Sequence, residues 1–194
     1  MSSTRVRHPD LVASAGLAAG AVFGMAGTLV SQSAVRQVLW ALDGVGLIVA
    51  TALLTVRFLR LGEDLVAAGF LVFAIGESLL VSGTAAGLAG SVPSFAGGVA
   101  LWAAALLLIS IPAVFPPWVR LVGVLAAVLF SWVALRIFWG EQLLPTSAPM
   151  PFFAYPFLVL TFVGWIMVLV KDERANAVTG CQPTHGSPTD AAGR

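Results

Sequence analysis

The stretch LVAAGFLVFAIGESLLVSGTAAGL, residues 65–88, decides the fold class, because its twenty-four residues carry a single charge, Glu77. A helix rises about 1.5 Å per residue, so a hydrocarbon core of roughly 30 Å is crossed by about 20 apolar residues. Backbone polar groups in that medium must be satisfied within the segment, which selects a helix for a run of this length. Working outward, five further runs of similar character follow the same rule: 11–30, 38–58, 95–115, 118–139 and 152–170. The chain of 194 residues is 59% hydrophobic and only 10% charged, with a mean hydropathy of +0.97. A water-soluble fold of this size could not cover that much apolar surface. The expectation is an all-α polytopic bundle of six transmembrane helices, with connections short enough to set neighbours into antiparallel hairpins.

The connections carry clear breakers. Ser31 to Gln37 is polar, Arg57 to Asp64 is charged, Pro93 follows Gly90, and Pro116 and Pro117 form a rigid turn. The longest connection, residues 140–151, holds Glu141, Gln142, Pro145, Pro149 and Pro151 and is expected to fold over a mouth of the bundle. Residues 1–10 read as a short polar N-terminus, and residues 171–194, rich in Gly, Pro, Thr and Asn, as a disordered tail. Cations favour the cytoplasmic side of short loops. With both termini inside, Arg5, Arg7, Arg57, Arg60, Arg120, Lys171, Arg174 and Arg194 face the cytoplasm, and only Arg36 and Arg136 face out. This bias predicts a protein with both ends in the cytoplasm, and the small size and brief loops suggest a bacterial inner membrane. Arg5 and Arg7 ahead of Leu11 have the look of a signal-peptide start, but the apolar run is long for one and Gln32 spoils cleavage at Ala34. A retained signal-anchor helix fits better.

In lipid, helices associate through close contact of small residues rather than through the hydrophobic effect. Gly16, Gly20, Gly24 and Gly27 recur at spacings of four, four and three, which places them on one face of the first helix. Gly69, Gly76 and Gly83 recur every seven residues on the third. Internal packing is the favoured use of both stripes, and self-association or partner binding the other. Trp40, Trp118, Trp139 and Tyr155 fall near segment ends, as interfacial anchors do, whereas Trp102, Trp132 and Trp165 lie deeper and need an internal partner or a lipid-facing position.

Ionisable groups within the hydrocarbon are costly unless they meet water, a proton or a partner, so each is a functional lead. Glu77 falls near a segment midpoint, and helical projection surrounds it with Phe70, Phe73, Val81 and Thr84. It is a candidate proton or ligand site, or else a structural acid bonded to a neighbouring helix. Asp43 shares a helix face with Gly46 and Ala50, and Arg136 lies at a similar outer depth on the fifth segment. An Asp43–Arg136 ion pair is expected, or, in the functional version, an outer vestibule of Asp43, Arg136, Glu141 and Gln142.

Several classes are excluded by composition. A net charge of +1 with scattered cations offers no nucleic-acid surface. Neither histidine, His8 or His185, lies in a crossing, which argues against intramembrane haem, zinc-protease and serine-protease chemistry. Lys171 is the only lysine, the single Cys181 has only His185 beside it, and one membrane aspartate does not make an aspartyl protease. No cofactor, metal or enzymatic activity is expected. Two readings remain: a non-catalytic membrane component or scaffold associating through glycine faces with a partner or a second copy, and a small permease or channel-like protein using Glu77 for protons or cations.

Overall fold

The computed structural model describes residues 8–179, which among themselves form helices and connections with no strand. The long helices are α1 (His8–Leu29), α2 (Ser33–Arg60), α3 (Asp64–Gly83), α5 (Val92–Ser110), α6 (Pro117–Phe138) and α7 (Tyr155–Thr179). A single turn, α4 (Gly87–Gly90), follows α3, and short 3-10 turns occupy Thr84–Ala86 and Phe152–Ala154. Six segments are long and apolar enough to cross a bilayer, the shortest being Val92–Ser110 with 19 residues.

Helix ends differ from the sequence expectation where side-chain chemistry overrides hydropathy. α2 begins at Ser33, so the polar residues 33–37 are helical and not a break. Arg36 from this first turn donates to Gly27 O at 3.3 Å and to Val30 O. It thereby satisfies carbonyls that the end of α1 leaves without an intrahelical partner, at the negative end of that helix dipole. Arg120 does the same for α5, donating to Ser110 O and Ile111 O at 2.8 Å each. α5 stops at Ser110, short of the expected Phe115, because Pro112 brings neither an N–H nor room for the preceding carbonyl. α3 ends at Gly83 and not at residue 88, and Gly87 turns the chain with φ +74°, a conformation that side chains rarely adopt. At the C-terminus α7 continues to Thr179, so the first nine residues of the expected disordered tail are helical; the remainder of that tail and residues 1–7 lie outside the described residues.

The six long helices form a closed ring in which α1 packs on α2, α2 on α3, α3 on α5, α5 on α6, α6 on α7, and α7 back on α1. Both glycine stripes are seated inside this ring. A Cβ at Gly16 would meet Gly46 O at 2.5 Å, and the other three α1 glycines lie against Leu47, Asp43 and Trp40, all on α2. Gly69, Gly76 and Gly83 lie against α5, facing Ile109, Gly98 with Trp102, and Ser94. The stripes are therefore occupied within the chain, and the exposed apolar surface consists of other residues such as Val22, Val45, Leu71, Leu121, Val128 and Trp132.

Aromatic rings fill the interior of the ring toward the Arg57 end of α2. Phe70 stacks on Phe58 with centroids 5.4 Å apart and meets Trp165 edge-on at 4.9 Å, with Phe115 closing the group. Phe73 continues the column, stacked on Trp102 at 5.3 Å and edge-on to Phe162 at 5.7 Å. Such pairs add to the area they bury. Buried Thr51, Thr55 and Thr161 return their hydroxyls to the carbonyl four residues earlier, so they add polarity to the interior without an unmet donor.

Candidate acidic cavity

The aromatic column stops short of the opposite end, and above it lies a cavity of about 90 Å³. A water needs on the order of 10–15 Å³ by this measure, so there is room for roughly half a dozen waters or one small organic molecule. Its wall comes from the last turns of α1 (Gly24, Thr28), the first half of α2 (Trp40, Asp43, Leu47), the last half of α3 (Glu77, Val81), the start of α5 (Phe95, Trp102) and the start of α7 (Tyr155, Phe162), with Pro145 from the long connection. Among the described residues, no lysine, arginine or histidine lines the cavity.

Asp43 and Glu77 meet in this cavity although 34 positions separate them. Asp43 is held there by the α1 glycines: a Cβ at Gly24 would come within 2.9 Å of Asp43 Oδ2, and one at Gly20 within 3.1 Å of Oδ1. A methyl at Gly24 would crowd the carboxyl group directly, whereas one at Gly20 would meet the Leu47 side chain first, with the carboxyl oxygen just beyond. Glu77 projects from α3 past Gly44, whose absent Cβ would stand 3.3 Å from Glu77 Oε1. The glycine faces thus have a second role beyond helix contact, since they make the volume in which two acids sit.

Both acids are almost wholly buried, with 8% and 3% of their surface exposed. Asp43 Oδ1 and Glu77 Oε2 have no hydrogen-bond partner in the protein, nor does the indole Nε1 of Trp102, which lies beside Glu77 without reaching good hydrogen-bond geometry. Buried polar groups are nearly always partnered, so three such atoms on one cavity mark a place where the protein does not complete its own hydrogen bonding. The other polar groups of the wall are committed. Thr28, Thr84 and Ser91 donate to Met25 O, Val81 O and Leu88 O at 2.7, 2.7 and 2.9 Å, and the Tyr155 hydroxyl donates to Pro145 O at 2.9 Å.

The structure does not bring Arg136 to this group. Its guanidinium pairs with Glu141 at 2.6 Å across the Gly140 turn, so the expected Asp43–Arg136 pair is not made. The reason is the ring order: α6 packs on α5 and α7, while Asp43 faces α1 from α2. The expected vestibule divides accordingly, with Asp43 in the cavity and Arg136 with Glu141 in a separate, half-exposed pair. Glu77 stands six residues from the end of α3 and at the middle of the candidate span Asp64–Gly90. Trp40 and Tyr155, expected as interfacial anchors, line the cavity, and Trp132 is 53% exposed on the bundle surface. Trp102 was flagged in the sequence by its depth alone; nothing there pairs it with Glu77, because the two are joined only by the packing of α3 on α5.

Among the described residues no group of three His, Cys, Asp or Glu side chains is placed to hold a metal ion, and His185 and Cys181 lie outside them. No protein-family model matches this chain, and neither a curated protein nor a solved structure matches it.

Proposed function

We propose that this chain is a multi-pass integral membrane protein, built from antiparallel hairpins with both termini in the cytoplasm of a bacterial inner membrane, and that its role is to bind a cation or proton in the Asp43–Glu77 cavity. The observation that carries this reading is the pair of buried acids on one cavity, each with an oxygen that no protein group satisfies. In such surroundings a carboxyl group is stabilised by whatever it binds, and a cation or a proton is the species that suits it. The cavity reaches Leu47, Trp102 and Phe162, and beneath them Phe73, Trp165, Phe70 and Phe58 pack ring on ring. A one-sided cavity over an aromatic plug fits the solute-accepting state of a permease and does not fit an open channel. The reading is a binding one and assigns no catalysis. A scaffold role draws less support, because the glycine faces that suggested it are filled by this chain's own α2 and α5.

Single cysteines in a Cys181→Ser background test it, with a membrane-impermeant, positively charged methanethiosulfonate reagent applied to either side. Val81→Cys and Thr84→Cys should label from the outside only, and Leu54→Cys, in the plugged half, from neither side. No labelling at positions 81 and 84 from either side would remove the cavity from contact with water and end the proposal; labelling of Leu54→Cys from both sides would make it a conduit.

A further inference from the structure

The chemistry of the wall narrows the occupant further, on the footing that the cavity binds a cation at all. A hard metal cation asks for about six oxygen ligands or more in a polar shell. Here the side-chain oxygens beside Trp40, Leu47, Phe95, Trp102 and Phe162 are two carboxyl groups and the hydroxyls of Thr28, Thr84, Ser91 and Tyr155, each hydroxyl already committed to a backbone carbonyl, and among the described residues no third acid joins them. Aromatic faces, by contrast, attract an organic cation through their quadrupoles, most strongly where water is excluded. An ammonium group carries three N–H donors and no acceptor, which matches the unpartnered Asp43 Oδ1 and Glu77 Oε2. The cavity is also roomier than an ammonium alone requires, and the volume beyond the acids is apolar.

We infer that the occupant is a small organic amine, a protonated primary amine on a compact apolar or aromatic body, with its ammonium between Asp43 and Glu77 and its body against Phe95, Trp102 and Phe162. A neutral alcohol of the same shape brings one O–H donor and no charge to two acids, and an inorganic cation leaves the aromatic wall unused. Discrimination should therefore run in both directions.

The test uses the full-length protein in detergent, with 2-phenylethylammonium chloride as the probe. Sodium chloride and calcium chloride at matched ionic strength and the neutral isostere 2-phenylethanol serve as comparisons, with thermal unfolding and calorimetric titration as readouts. The expected result is saturable binding of the amine at least ten-fold tighter than the alcohol, no saturable response to either salt, and at least a ten-fold loss of amine affinity in Asp43→Asn and in Glu77→Gln. The amine-against-alcohol comparison needs no variant, so a poorly folding substitution does not shield the inference. Equal binding of amine and alcohol overturns it, as does absence of amine binding. If sodium or calcium binds instead and the two amides abolish that response, the inference fails while the cation cavity stands. If no cation binds and positions 81 and 84 are also closed to the thiol reagent, both fail together.

Discussion

The two ends of the bundle treat buried charge in opposite ways. At one end Arg57 of α2 pairs with Asp10 of α1 and, at 2.7 Å, with Asp172 of α7, so one guanidinium ties three helices. Its side chain and that of Asp10 are 16% and 10% exposed, and the opposite charges neutralise each other, with the buried Arg57 Nε left without a hydrogen-bond partner. At the other end two acids, Asp43 and Glu77, face one cavity and keep unpartnered oxygens. Charges that a protein pairs internally hold it together; acids that it buries and leaves unpaired are held for something else. The stability of the first end should therefore depend on its charges, and that of the second should not.

Breaking the tie should have the largest effect. Arg57→Ala leaves Asp10 buried without its cation, and the about 3–5 kcal/mol lost when a fully buried pair is broken is an upper bound for this part-buried one; a fall in unfolding temperature and in the yield of folded protein in detergent would register it. A wild-type-like Arg57→Ala would erase the contrast. Next is Gly16→Ala, whose methyl would press on backbone at Gly46 and not on a flexible side-chain tip. Overpacking of this kind costs about 1–3 kcal/mol, measurable by the same unfolding. Gly24→Ala sharpens the comparison, since its methyl would crowd Asp43: amine or cation affinity should fall more than stability does.

Asp43→Asn and Glu77→Gln should lie within about 1 kcal/mol of the parent, because each removes a costly acid from an apolar site and keeps its shape. If either unfolds the protein as strongly as Arg57→Ala does, the acids are structural and the two ends are alike. The smallest effect should come from Trp132→Leu on the exposed face of α6, where a surface change is expected within about 0.5 kcal/mol.

Hydropathy alone located all six long helices, because a spanning segment must satisfy its own backbone and cover itself in apolar side chains, and both demands are local. It placed the end of α1 within one residue and misplaced ends where something other than hydropathy governs them, as at the start of α2 at Ser33, the end of α3 at Gly83 and the end of α5 at Ser110 ahead of Pro112. Glu77 and Asp43 stood out singly, since an acid in an apolar run is conspicuous without any neighbour. Their meeting did not, and the proposed Asp43–Arg136 pair shows why. Helical projection fixes which face of its own helix a residue occupies, but says nothing about which helix lies opposite.

What this sequence determines by itself is thus which segments form helices long and apolar enough to cross a bilayer and which few costly groups they carry, all properties of single segments. The ring order, the seating of Asp43 over Gly20 and Gly24, the aromatic plug and the shared cavity belong to the tertiary structure. Each of these depends on contacts between helices, and in lipid such contacts are chosen by the fit of small and large side chains, a matter of shape in three dimensions that composition and spacing do not encode.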